Sequence, residues 1–152
     1  MKLFQPFFAF SALILVVSCN SSPTQNSAIN TKKSATDSTF NVCYSSMVKK
    51  DTVLLNALMT GDSIKGSLGY KLYEKDQNNG SILGKVYGDT IRATYTFMSE
   101  GMESVREVYF LKKDSLLIEG LGNLKDNNGK VSFENPGAVK FEGIVLTAVP
   151  CK

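Results

Sequence analysis

Apolar and polar side chains alternate along most of the chain from Phe40 onward. The alternation is clearest in residues 64–73 and 91–98, where almost every second side chain is apolar or small. A period of two is typical of antiparallel strands that bury one face and expose the other. No stretch shows the wider apolar spacing of an amphipathic helix. The pattern therefore predicts an all-β domain.

Two Gly-Asp pairs, Gly61-Asp62 and Gly88-Asp89, predict tight hairpins. A two-residue loop fixes which residues lie opposite each other. The first loop places residues 53, 55, 57 and 59 opposite 70, 68, 66 and 64, and the second places 82, 84 and 86 opposite 95, 93 and 91. Both registers match apolar with apolar and small with small. The Asn-rich stretch Gln77–Gly80 predicts a longer loop between the hairpins.

The second half of the domain continues the strand pattern. An even-length turn at Lys112–Ser115 would place Phe110 opposite Leu117, and short strands are expected at residues 131–133 and 139–149. Glycines recur within the strands and permit the strong coiling that a small barrel needs. We expect an antiparallel meander of about eight strands that forms a small, lipocalin-like barrel. A two-sheet β-sandwich is the alternative fold.

One strand carries two charges in an otherwise apolar context. Arg106 and Glu107 are adjacent, so they point to opposite faces, and one of them must face the interior. If the even face is internal, Arg106 and Glu119 form a buried pair, because the predicted turn places Glu119 opposite Val108 and diagonal to Arg106. If the odd face is internal, Glu107 is buried beside Tyr95 or Tyr109. Either arrangement is a structural polar contact or a polar anchor for a ligand.

The cysteines have different meanings along the chain. Cys43 lies in the first predicted strand and Cys151 follows the last one. These strands are neighbours in an up-and-down barrel, so a Cys43–Cys151 disulfide is expected, with two free thiols as the alternative. An exported protein would meet the oxidising conditions that such a bridge requires.

The N-terminal residues have the features of an export leader. Lys2 is followed by an apolar run over residues 7–17, too short to span a bilayer of about 30 Å. The run ends in Val16-Val17-Ser18-Cys19, which resembles a bacterial lipobox, with Val16 where Leu is commonest. The resemblance implies a signal peptide at 1–18, an acylated Cys19 and a polar tether at 19–38, followed by the barrel domain at 39–152. The mature part resembles small all-β envelope lipoproteins.

Composition excludes several function classes. The chain has no His, which removes the commonest general base and metal ligand. Its net charge of +3 is too small for a nucleic-acid-binding surface. No catalytic motif, cofactor motif or metal-ligand spacing is present. We therefore expect a protein that is not an enzyme and needs no cofactor or metal.

The remaining expectation is a binding role at the cell envelope. A lipid-anchored, periplasm-facing barrel would be held at the bilayer through acylated Cys19. It would act as a non-catalytic binding module for a small apolar or amphipathic ligand. The alternative is a protein-interaction role in the envelope, as an assembly factor or an inhibitor of a wall-cutting enzyme.

Overall fold

The computed structural model describes residues 38–75 and 77–151. The leader, Cys19 and nearly all of the predicted tether lie outside the described residues. The described part contains ten strands and one short 3-10 helix, Pro136–Ala138. The strands are β1 Thr39–Val48, β2 Asp51–Thr60, β3 Ser63–Lys71, β4 Gln77–Tyr87, β5 Thr90–Ser99, β6 Met102–Lys113, β7 Leu116–Leu121, β8 Leu124–Asn127, β9 Lys130–Phe133 and β10 Lys140–Ala148.

Eight of these strands form a closed antiparallel barrel. The order around the wall is β5-β4-β3-β2-β1-β10-β7-β6, and pairing of β5 with β6 completes the ring. The hairpin of β8 and β9 lies beside this wall, and β9 pairs in parallel with the first half of β6. The predicted lipocalin-like barrel is thus confirmed, and the sandwich alternative is wrong. No helix in the described residues has the length and apolar character to cross a membrane.

The two Gly-Asp hairpins have the predicted register. Leu55 lies opposite Leu68, and Ile82 lies opposite Tyr95. Gly61 and Gly88 have φ angles of 56° and 60°, which glycine adopts at little cost at the first position of a tight turn.

Small residues let neighbouring strands coil tightly. A Cβ atom at Gly66 would collide with the backbone carbonyl of Asn56, and one at Gly84 would collide with that of Arg92. Side chains at these two positions would force the strands apart, so glycine is required for the barrel curvature.

The interior is filled mainly by large apolar side chains. The alternate residues of β2 to β6 point inward, as the period of two predicted. The most deeply buried large residues each expose less than 2% of their surface: Val53, Leu55, Ile64, Leu68, Ile82, Tyr95, Phe110, Leu117 and Leu146. Such packing makes the interior a core rather than an open ligand chamber.

Two predicted loops are wrong. Residues 77–80 belong to β4 and pair with β3, and the turn comes earlier, where Glu74 has a φ of 55°. The Asn-Asn-Gly stretch does not form a turn, because Asn78 and Gly80 pair within the sheet. The turn after β6 contains only Asp114 and Ser115, so Phe110 lies opposite Glu119 rather than Leu117. Asp114 tolerates the left-handed φ of 55° that this tighter turn requires.

The predicted disulfide is present. Cys43 and Cys151 are bonded, with their Cα atoms 5.3 Å apart and a sequence separation of 108. The backbone pairing between β1 and β10 at this place comprises only two residue pairs, Tyr44 with Ala148 and Ser45 with Thr147. The bridge therefore reinforces the shortest ladder of the barrel wall.

Candidate functional site

Arg106 lies on the inner face of the barrel. Its Cα partner on β5 is Tyr95, and its guanidinium carbon is 5.1 to 5.5 Å from the ring centroids of Tyr70, Tyr95 and Phe97. A cation at this distance from an aromatic face is attracted by the ring quadrupole. The even face of β6 is therefore internal, the first of the two predicted arrangements.

Glu119 also faces the interior, but it does not pair directly with Arg106. Tyr70 Oη donates a hydrogen bond of 2.7 Å to Glu119 Oε1. Within the described residues, the one ion pair within 4.0 Å joins Lys85 to Asp62 on the surface. The predicted Arg106–Glu119 pair is thus wrong, because the two-residue turn moves Glu119 two positions along β6 to lie opposite Phe110.

Burial perturbs the tyrosines around Arg106. Desolvation raises the pKa of Tyr95 to about 12, although the neighbouring Arg106 charge lowers it. The pKa of Tyr70 is raised further, first by burial and then by the negative charge of Glu119 and the hydrogen bond to it. Both phenols are consequently neutral donors throughout the physiological pH range.

Glu107 points outward and serves the adjacent hairpin. Its Oε2 accepts a 3.0 Å hydrogen bond from the backbone N–H of Phe133 in β9. The Phe133 ring packs on Tyr109, with centroids 4.7 Å apart. Glu107 therefore has a structural contact that attaches β9 to the barrel wall, and it is not the inward residue of the strand.

A large concavity in the described structure lies outside the barrel. It is a groove of about 790 Å³ between the outer faces of β1 to β3 and the C-terminal segment 149–151. We call it the outer groove. Its apolar lining comes from Met47, Leu54, Leu58, Val149 and Pro150, with Ala57, Gly66 and the Cys43–Cys151 bridge, and its polar lining from Asn41, Ser45, Asn56 and Lys65.

Three apolar side chains of the outer groove are unusually exposed. Met47, Leu54 and Leu58 expose 75%, 45% and 43% of their surface. The alternation of apolar and polar residues does not predict this site. The available signal was β2, whose residues 53–59 are apolar on both faces except at Asn56, a pattern that a half-buried strand does not need.

The described residues offer little else for a cofactor. No group of three or more Cys, Asp or Glu side chains in residues 38–75 and 77–151 is arranged to hold a metal ion.

Comparisons with protein-family models, curated proteins and solved structures return no match for this chain.

Proposed function

We propose that this protein is a non-catalytic binding module that holds a small amphipathic molecule in the outer groove. The observation that carries the proposal is the groove itself, because its volume of about 790 Å³ falls in the usual range for small-molecule sites, about 300–1,000 Å³. Such sites are mostly apolar with a few polar groups, and the outer groove has this composition.

The barrel interior is a weaker candidate for such a ligand. The interior is packed with large apolar side chains, and a cavity in the wall that Arg106 and Glu119 help to line measures only about 110 Å³. A fatty acid or a similar amphipathic molecule would need more room than this.

The lining residues suggest the chemistry of the ligand. Met47, Leu54 and Leu58 provide an apolar surface that gains free energy when covered, about 25 cal/mol per Å². Lys65 is the charged residue of the lining, and Asn56 adds a hydrogen-bonding amide. A molecule with an apolar body and a carboxylate or similar anionic end would match both parts.

The proposal also concerns location. Acylation of Cys19 would anchor the domain to a bilayer in the bacterial cell envelope, facing the periplasm. Amphipathic molecules concentrate at such a surface, so a tethered groove would meet its ligand there. The lipobox-like residues before Cys19 support this part of the proposal.

The experiment is a titration of the full-length protein with a dansylated fatty acid, followed by competition with palmitate. Leu54→Asp should weaken binding by roughly tenfold or more, because it places a charge in the apolar part of the groove. Leu83→Asp is the matched control: Leu83 is another outer-face leucine, 64% exposed, and it does not line the outer groove.

Equal losses in the two variants, or no saturable binding by the unaltered protein, would contradict the proposal. Native mass spectrometry of protein purified from its own host provides a second readout, because an occupied groove adds the mass of one small molecule. A stable envelope protein in place of that small molecule would favour the protein-interaction role instead.

A further inference from the structure

Two cations lie directly opposite each other on the outer face of the barrel. Lys85 in β4 is the Cα partner of Arg92 in β5, and both side chains are exposed. Directly opposite residues of antiparallel strands have their Cβ atoms about 4.5–5.5 Å apart, and like charges in this position repel each other. The fold gains nothing from such a pair, whereas an anion bound between the two side chains would relieve the repulsion.

The acidic side chains nearby leave this positive charge largely uncompensated. Lys85 Nζ is 3.6 Å from Asp62 Oδ2, but the two side chains are 56% and 64% exposed, and an ion pair in such a position contributes little. No carboxylate of the described residues lies within 4.0 Å of Arg92. Glu107 uses its Oε2 to accept the backbone N–H of Phe133.

Two aromatic rings hold the Arg92 side chain in place. Its guanidinium carbon is 5.2 Å from the ring centroid of Tyr87 and 5.3 Å from that of Tyr109. Tyr109 is also the Cα partner of Arg92 on β6, and its own ring packs on Phe133. Contact with the face of a ring orients a guanidinium but leaves its N–H donors available. A side chain that is oriented in advance loses less conformational entropy when it binds a ligand.

These side chains line one pocket of about 350 Å³ on the outer faces of β4 to β6. We call it the Arg92 pocket. Its volume is at the lower end of the usual range for small-molecule sites, about 300–1,000 Å³. Leu83 and Tyr87 flank it with side chains that are 64% and 56% exposed, so they offer apolar surface to a ligand. The Arg92 pocket and the outer groove have no lining residue in common.

We propose that the Arg92 pocket binds a sugar acid, meaning a pyranose ring that carries a carboxylate. Arg92 and Lys85 bind the carboxylate, and the sugar ring lies against the exposed Tyr87 side chain. Glu107 and Thr94 also line the pocket and bind sugar hydroxyl groups. Glu107 repels a simple anion but accepts hydrogen bonds from hydroxyl groups, so the pocket favours an anion that is hydroxylated. This site goes beyond the proposed function and does not depend on it.

The test is a ligand-observed NMR titration of the full-length, disulfide-bonded protein with sodium glucuronate, glucose and acetate. Glucuronate should bind at millimolar concentrations. Glucose keeps the ring without the charge, and acetate keeps the charge without the ring. Each should therefore bind roughly tenfold or more weakly than glucuronate.

Substitutions of the two cations give a readout that a purely structural role would not change. Arg92→Gln and Lys85→Gln should each reduce the preference for glucuronate over glucose, because they remove charge while leaving the Tyr87 surface in place. Lys71→Gln is the matched control, since Lys71 is an exposed lysine of β3 that does not line the Arg92 pocket. It should leave the preference unchanged.

The aromatic contact has its own matched pair of variants. Tyr87→Ala should weaken the binding of both glucuronate and glucose, because it removes the surface against which the ring lies. Tyr73→Ala should weaken neither. Tyr73 is 51% exposed and has Lys50 Nζ 3.8 Å from its ring centroid, but it does not line the Arg92 pocket.

The ligand series on the unaltered protein decides the matter even if a variant does not fold. Absence of glucuronate binding at millimolar concentrations would overturn the proposal, as would glucose that binds as tightly as glucuronate. Acetate that binds as tightly as glucuronate would also overturn it, because the pocket would then recognise an anion and not a sugar acid.

Discussion

At the scale of single residues, Tyr70 and Tyr95 each place a phenol in the barrel interior, but their hydroxyl groups differ in hydrogen bonding. Tyr70 Oη donates to Glu119, whereas Tyr95 Oη has no hydrogen-bond partner. We expect Tyr70→Phe to lower the free energy of unfolding by about 1–2 kcal/mol, because it leaves the part-buried Glu119 oxygen without its donor. Tyr95→Phe removes an unsatisfied hydroxyl, so its effect should be neutral or stabilising.

Urea unfolding of both single variants, monitored by circular dichroism, measures this difference. The two substitutions remove the same atom from the same residue type, so each is the control for the other. A loss for Tyr95→Phe as large as that for Tyr70→Phe would show that the Tyr95 hydroxyl has a partner.

The same tyrosines predict a loss of stability in alkali. Burial raises the pKa of Tyr95 from an ordinary value of 10.0 to about 12 in the folded protein. A pKa that is raised in the folded state contributes its full stabilisation below pH 10. This contribution decreases between pH 10 and about 12, because the tyrosine of the unfolded chain loses its proton at a lower pH than that of the folded protein. Stability measured against pH should fall across this window, and the fall should be shallower in Tyr95→Phe. An identical slope in that variant would contradict the prediction.

At the scale of elements, local turn chemistry explains which hairpins could be predicted. Gly61 and Gly88 each adopt the left-handed φ that a two-residue hairpin loop needs at its first position. The loop length is fixed in this way, and the register of the hairpin follows from the loop length. Lys112 and Lys113 belong to the predicted turn, but in the structure both continue β6. A register error of two residues keeps every side chain on its own face of the strand. The predicted turn therefore places Arg106 and Glu119 correctly on one face, but at the wrong separation.

The disulfide acts on the pairing of β1 with β10. That ladder has two residue pairs, whereas β1 pairs with β2 along its whole length. Closing a loop of 108 residues is worth about 4–5 kcal/mol in the chain-entropy model. The double variant Cys43→Ser with Cys151→Ser should therefore unfold at much lower denaturant concentration. It should also show faster amide hydrogen exchange at Tyr44 and Thr147 than within the pairing of β2 with β3.

Thermal unfolding and hydrogen exchange of the reduced and oxidised wild type supply the control, because they change the bridge without changing the sequence. Equal protection of β10 in both forms would mean that the backbone ladder alone holds the barrel closed.

At the scale of the whole molecule, the outer groove depends on contacts that no local pattern contains. The outer groove exists because the segment 149–151 is bonded to β1 by a bridge that spans nearly the whole domain. Sequence periodicity assigns each side chain to a face, but it does not determine where a strand leaves the wall. The inward-facing charged residues could therefore be selected from the sequence, and the outer groove could not.

The proposed membrane anchor can be tested by substitution of one cysteine. The lipobox-like Val16-Val17-Ser18-Cys19 predicts acylation of Cys19. Cys19→Ser should move the protein from the membrane pellet to the soluble fraction, and it should abolish labelling by radioactive palmitate. The double variant Cys43→Ser with Cys151→Ser is the control and should stay in the pellet. A Cys19→Ser protein that still pellets and still takes up label would refute the anchor. Unchanged dansyl-fatty-acid affinity in the released protein would show that the outer groove binds without the membrane.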